Sequence, residues 1–195
     1  MTPESYHTIA KDGEGYFKDK GSRFYGFAFE CNSEEEVRER LAELRKKFHD
    51  ARHHCYAYLL GVDGSLFRAN DDGEPSHSAG DPILGQIKSR ELSNTLVVVI
   101  RYFGGTKLGV SGLIQAYKAA ASDALEDAGR TLKYITQDIL LEFKYPQMNE
   151  VMKLVKNLDL LILEQDFQLD CKLKLRIRPS QLSRIEDLEE VNIIL

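Results

Sequence analysis

No apolar stretch in this 195-residue chain approaches the roughly 18 residues that a membrane-spanning helix requires. The opening MTPESYHTIA carries neither a basic n-region nor an apolar h-region, so no signal peptide and no membrane partner are expected. Cysteine is scarce and scattered. Cys31, Cys55 and Cys171 form no CxxC pair, which argues against a structural zinc site and suits a reducing, cytoplasmic location. Positive charge is also short: 26 Lys and Arg face 31 Asp and Glu, for a net charge of −5. Neither half is basic. The first 134 residues carry 18 cations against 20 acids, and the remainder 8 against 11. That excludes the strongly basic class of nucleic-acid binders, so any such contact must come from a local patch or from docking on a large assembly. Repeats and low-complexity tracts are missing as well.

Several chemical motifs are absent in turn. Gly104-Gly105-Thr106-Lys107 is no Walker A loop, and GGTKLG has the wrong spacing for a dinucleotide fingerprint. Asp71-Asp72-Gly73-Glu74 starts like a carboxylate loop for a hard cation. An EF-hand would need a glutamate where Ala79 stands, so no metal is expected. Ser76, His77 and Asp72 could be drawn as a hydrolytic triad, but nothing resembles a nucleophile elbow. No cofactor is implied. Arg52-His53-His54-Cys55 reads as ordinary strand, with His53 and Cys55 on one face and His54, Tyr56 and Tyr58 on the other. His54 is the candidate surface residue of that run.

What is present is a densely built turn, RYFGGTKLGVSG, from Arg101 to Gly112. It follows the apolar run Leu96–Ile100 and precedes a helix pattern striped with alanine. Glycines permit close backbone approach and positive φ, and a helix start offers unpaired N–H donors to an anion. An anion site and a tight structural turn are both open on these residues. Asp72 or Glu74 could also pair with Arg101 or Lys107 and lock the loop.

The rest of the first half reads as α+β. Gly15–Phe17 and Phe24–Phe29 form a hairpin turned at Asp19–Ser22, and Ser33-Glu34-Glu35-Glu36 is a capping box opening a helix. Arg52–Leu60 is a strand, and Asp81-Pro82 marks an N-cap with proline at the first helical position. Thr95–Arg101 is a central strand buried on both faces, and Gly129 ends the long helix after Gly109. Residues 135–195 read β-α-β-β-α-β, the ferredoxin-like pattern. Two domains are expected, 1–134 and 135–195.

Five ordered motifs resemble the IMPACT/YigZ family. They are Lys20-Gly21-Ser22-Arg23-Phe24, Ala51–Tyr58, Asp71–Ser76, Ala79-Gly80-x-Pro82-Ile83-Leu84, and Arg101-Tyr102-Phe103-Gly104-Gly105-x-Lys107-Leu108-Gly109. The resemblance covers residues 15–128, and the C-terminal unit matches the extra domain of bacterial members. It implies an N-terminal domain like domain IV of elongation factor G, a ribosomal-protein-type fold, and a C-terminal domain like domain V. It also implies a link to translation regulation. The eukaryotic relative competes for a partner of a translation kinase, but its additional N-terminal partner-binding domain has no counterpart in these residues, so that role is not carried over. His77, Ser78 and Ser111 depart from the family pattern.

The expected function is a non-enzymatic protein that binds RNA or a ribosomal surface. Its contacts would be Lys20, Arg23, His54, Arg101 and Lys107, with the backbone of Gly104, Gly105 and Gly109. Arg101 and Lys107 would meet phosphates, and Tyr102 or Phe103 would stack on a base. One alternative is an enzyme or sensor for a small phosphorylated or carboxylated ligand, with Asp72 and Glu74 as acid/base or metal-binding groups. The other is a module that binds a protein partner.

Overall fold

The computed structural model describes residues 4–195, which fall into two compact units. Tyr6–Lys133 form one, and Tyr134–Leu195 with Glu4 and Ser5 form the other.

The larger unit is built on a five-stranded sheet in the order β2-β3-β6-β4-β5. Strand β1 (Ser5–Ile9) stands apart and pairs with β7 (Arg130–Tyr134). The hairpin β2 (Gly13–Asp19) and β3 (Ser22–Glu30) leads into α1 (Glu34–Lys47). Then come β4 (His53–Leu60), β5 (Leu66–Asn70), α2 (Gly80–Ser89), β6 (Thr95–Tyr102) and α3 (Gly109–Ala128). Every pairing in this sheet is antiparallel. Burial of β6 on both faces therefore does not come from a parallel arrangement. One face of the sheet carries α2 and α3, and the other carries α1. Leu96, Val97, Val98, Val99 and Ile100 are all fully buried between them, and burying each such side chain stabilises by about 1.5–3 kcal/mol.

Helix α1 begins as its capping box dictates, with one adjustment. Ser33 Oγ accepts from the Glu36 N–H at 3.2 Å, and Glu36 Oε2 accepts from the Asn32 N–H at 2.9 Å, one residue earlier than the motif specifies. Its acidic first turn and basic last turn, Arg45-Lys46-Lys47, complement the helix dipole. Helix α2 departs from expectation. It starts at Gly80, and Asp81 caps nothing. The cap comes from outside the helix: Asp71 Oδ1 accepts from Ala79 N–H at 3.0 Å and Gly80 N–H at 2.8 Å. Asp81 pairs instead with His77 Nδ1 at 2.6 Å.

Helix α3 lies close on β2 and β3 because both sides of the seam are small. Ala120, Ala124 and Ala128 face Gly13, Gly15 and Gly26. A Cβ on Gly15 would fall 2.3 Å from the Ala124 backbone nitrogen.

The second unit is β8 (Gln137–Lys144), α4 (Met148–Asn157), β9 (Leu161–Phe167), β10 (Asp170–Ile177), α5 (Leu182–Glu186) and β11 (Asn192–Ile194). Short 3-10 turns containing Pro146 and Pro179 precede the two helices. The strand order β11-β8-β10-β9, all antiparallel, is the split βαβ topology read from the sequence. Its core is separate and aliphatic, centred on Ile139, Leu141, Val151, Leu173 and Leu175.

The seam predicts a contrast between two glycines. Gly15→Ala should cost about 1–3 kcal/mol through overpacking, read as a lower urea midpoint. Gly85→Ala, in the exposed middle of α2 where a Cβ meets nothing within 4 Å, should raise stability by about 0.5–1 kcal/mol.

Candidate nucleic-acid interface

Three chain segments meet at one end of the five-stranded sheet: the β2–β3 turn, the start of β4 and the end of β6. The register places Arg23 opposite Tyr102, and His53 opposite Arg101. The turn itself is two residues long, with Lys20 at φ 44° and Gly21 at φ 82°. Positive φ at both central positions is the type I′ geometry that matches strand twist. The loop after β6 packs on this turn, and a Cβ on Gly104 would fall 1.9 Å from the Gly21 carbonyl carbon. Only glycine fits there. Ser22 Oγ accepts from the Gly104 N–H at 3.1 Å and fastens the two segments.

Beneath this surface lies a buried polar network. Glu74 Oε1 accepts from Arg101 Nη1 at 2.7 Å and from the Tyr117 hydroxyl at 2.7 Å. Both charged side chains are buried, with 8% of Arg101 and 4% of Glu74 exposed. The Cys55 thiol donates to the Asp71 carbonyl at 3.0 Å and lies 3.4 Å from the Tyr117 hydroxyl. Burial pushes the Cys55 thiol and the Tyr117 phenol well up, so the thiol is no nucleophile and the phenol keeps the proton it gives to Glu74. Asp71 holds the same loop from its other side, accepting from the backbone of His77, Ala79 and Gly80. Desolvation alone would raise the Asp71 carboxyl. The N–H groups of Gly80, His77 and Ala79 outweigh it and hold the carboxyl below its ordinary value.

This arrangement corrects two expected contacts. Arg101 does not face solvent: it sits between the Phe24 and Phe103 rings, 5.6 and 5.5 Å from their centroids, and gives its charge to Glu74. The loop-locking pair that the residue types allowed is the one that forms. His54 is also buried, since it belongs to the strand face under α1. Its N–H donates to Asp72 Oδ2 at 2.7 Å, and its Nε2 has no partner among the described residues. Burial holds the His54 imidazole below its ordinary value, against the pull of Asp72. The carboxylates proposed as acid/base groups are likewise committed. Glu74 is enclosed, and Asp72 receives His54 and lies 3.5 Å from Arg45.

The other expected residues stand on the surface. Lys20, Arg23, Gly104, Gly105, Lys107 and Gly109 are all exposed. Gly105 and Gly109 hold φ of 88° and 74°, and the first turn of α3 has no side-chain cap and no acidic residue. Its leading N–H donors are left for water or an anion.

Sequence reasoning missed the contribution of Lys18 and of the loop after α1. Lys46, Lys47 and Arg52 are exposed, and so is Lys18 beside Arg23. Among the described residues none of these, nor Lys20, Arg23 or Lys107, has an acidic partner within 4.0 Å. By contrast, the strand cations of the second unit at positions 144, 172, 174 and 176 are all ion-paired. The run HDARHH carried the signal for Arg52, but the loop after α1 had to be seen to deliver it to the start of β4, beside the end of β6.

A cleft of about 380 Å³ opens here, lined by Asp50, Ala51, Arg52, His53, Arg101, Tyr102 and Phe103. Tyr102 donates to Asp50 Oδ1 at 2.6 Å, which lowers the Asp50 carboxyl and lifts the Tyr102 phenol to about 12. A larger depression of about 490 Å³ lies at the other end of β2, where Lys47 is outnumbered by Asp12, Glu14, Glu43 and Asp127, which oppose an anion.

Glu74→Ala leaves Arg101 charged and buried without its partner, so it should cost about 3–5 kcal/mol in denaturant unfolding. Replacing both partners, Glu74→Leu with Arg101→Met, should cost less than the sum of the single changes. Asp71 predicts a pH effect of fixed sign. Its folded carboxyl lies below the ordinary 3.8, so its stabilisation is complete above that value and is lost as pH falls through the folded value. Asp71→Asn should cost about 1.5–3 kcal/mol at neutral pH and should flatten the acid limb of a stability–pH curve.

Comparison with known proteins agrees with the motif order. The Impact N-terminal domain model matches residues 20–125. The chain is 42% identical over 125 residues to the IMPACT family member YvyE of Bacillus subtilis, covering 64% of this chain and 58% of that protein, less than two thirds of its length. It is 33% identical over 160 residues to an IMPACT family member of Haemophilus influenzae, covering 81% of this chain and 78% of that one. A crystal structure of a hypothetical protein superposes with a TM-score of 0.73 at 26% identity, covering 98% of this chain and 97% of that chain. With more than half its residues matched by the domain model, the chain belongs to the IMPACT family.

Proposed function

We propose that this protein is a cytoplasmic translation regulator that binds RNA or a ribosomal surface without catalysing a reaction. The observation that carries the reading is charge segregation. A chain of net charge −5 gathers Lys18, Lys20, Arg23, Arg52 and Lys107, free of acidic partners among the described residues, around one end of its larger sheet. Cations left unpaired can neutralise phosphates and release counterions, which is the main source of nucleic-acid affinity. Lys20, Arg23 and Lys107 take the phosphate role, and Gly104, Gly105 and Gly109 add backbone donors. Arg101 and His54 support these residues from beneath.

On this reading residues 1–134 act as the IMPACT-type domain, corresponding to domain IV of elongation factor G, and 135–195 correspond to domain V. The βαββαβ order favours the second correspondence. The small-ligand alternative loses its acid/base pair, because Glu74 and Asp72 are already bound to Arg101, Tyr117 and His54. A partner protein could still use the same cationic end. It would be the candidate if nucleic acid fails.

The test is fluorescence anisotropy with a labelled RNA at several salt concentrations. Affinity should fall with salt along a log–log line, and Lys20→Ala with Arg23→Ala should reduce the slope by about 1–2. Absence of any RNA or ribosome association at low salt overturns the proposal.

A further inference from the structure

The α1-side face of the sheet is only part covered. Alternation puts Tyr16 of β2, Arg23 and Tyr25 of β3, and Tyr102 of β6 on this face. Tyr16 is 47% exposed although its neighbours are aromatic, with Tyr25 at 5.1 Å between ring centroids. Tyr25 reaches on to Tyr102 at 6.0 Å, so the three rings run diagonally across three strands. Arg23 lies over the Tyr102 ring at 5.5 Å, and Lys18 stands opposite Arg23 on the neighbouring strand. An open hollow of about 330 Å³ borders Tyr16 and Tyr25.

We infer that this aromatic diagonal is a stacking platform for unpaired bases, so that the nucleic acid this protein binds is single-stranded. The inference rests on the reading above and narrows it. A duplex hides its base faces in the stack and offers phosphates, sugars and base edges, whereas a single strand presents phosphates and base faces together. A half-exposed Tyr16, continued by the part-buried Tyr25 and Tyr102 and set beside unpaired cations, fits that second pattern. Charge sets the track of the strand. Lys18 and Arg23 flank one end of the diagonal, while Glu14 and Asp123 border the hollow at the other. Phosphates run along the cationic side, and bases reach inward to Tyr25 and Tyr16. The Arg23 guanidinium continues the stack, since its plane serves a base as an aromatic ring does.

The experiment compares labelled unstructured 12-nucleotide RNA and DNA with a duplex of the same length, on the full chain. The single strands should bind more tightly than the duplex, and the RNA and DNA arms tell which sugar is preferred. Tyr16→Ala should weaken single-strand binding by about 5- to 150-fold with the salt slope unchanged, and Tyr16→Phe should retain it. Circular dichroism and the melting temperature establish that the exposed substitution leaves the fold intact. Equal affinity for duplex, or a Tyr16→Ala variant that binds single strands like the parent, overturns the platform and leaves the phosphate-binding reading standing. Loss of all nucleic-acid binding in the parent overturns both. A concentration-dependent dimer that Tyr16→Ala dissolves, measured by sedimentation, would assign the face to a second copy and also overturn the platform.

Discussion

One carboxylate oxygen, Glu74 Oε1, takes hydrogen bonds from both Arg101 at the end of β6 and Tyr117 in α3. It therefore ties the loop between β5 and α2 to a sheet strand and to the long helix at once. A buried carboxylate is tolerated only when fully paired, and here a cation and a phenol supply the pairing. The same loop is fixed at Asp71, which caps α2 from a distance, and at Asp72, which receives the His54 amide. Three consecutive-looking acids thus have three separate structural duties. Remove that set of bonds and the start of α2, the end of β6 and the seat of α3 lose a common anchor.

This anchoring explains why the exposed site is cationic in a chain with an acidic balance. Glu74 turns inward and neutralises the arginine it meets. The acids of the loop are occupied by backbone amides and His54. What remains outside is the complement: Lys20 and Arg23 on a rigid type I′ turn, Lys107 on a glycine loop packed against it, and Arg52 in the loop after α1. The second unit does the opposite. Its open sheet surface is laced with cross-strand pairs such as Lys172–Glu142 and Arg176–Asp138, so it displays little uncompensated charge.

Most of the elements could be read directly from residue patterns. The capping box at Ser33, the apolar run of β6, the alanine stripe of α3 and the βαββαβ order of the second unit are local signals with local causes. Elements whose cause is distant were harder. Strand β5 exposes Leu66, Phe67 and Arg68 and exists because β4 pairs with it, so no amphipathic pattern announces it. Strands β1 and β7 hold each other across the length of the larger unit in the same way. Helix α2 starts two residues before the point that a cap at Asp81 implies, because the cap arrives from Asp71.

At the site, the sequence alone determined which residue types were available: a glycine turn that only glycine can build, cations beside it, and a carboxylate loop able to pair with one of them. It also determined the family, through the order of five motifs. Tertiary structure decided which cation was spent. Arg101 and Lys107 are six positions apart in one segment and look interchangeable in the sequence, yet one alternates inward on a strand and the other rides an exposed loop. Tertiary structure also decided that the loop after α1 brings Arg52 to the end of β6, beside Tyr102 and Phe103. Burial and register are sums over distant neighbours, and a local pattern does not carry them.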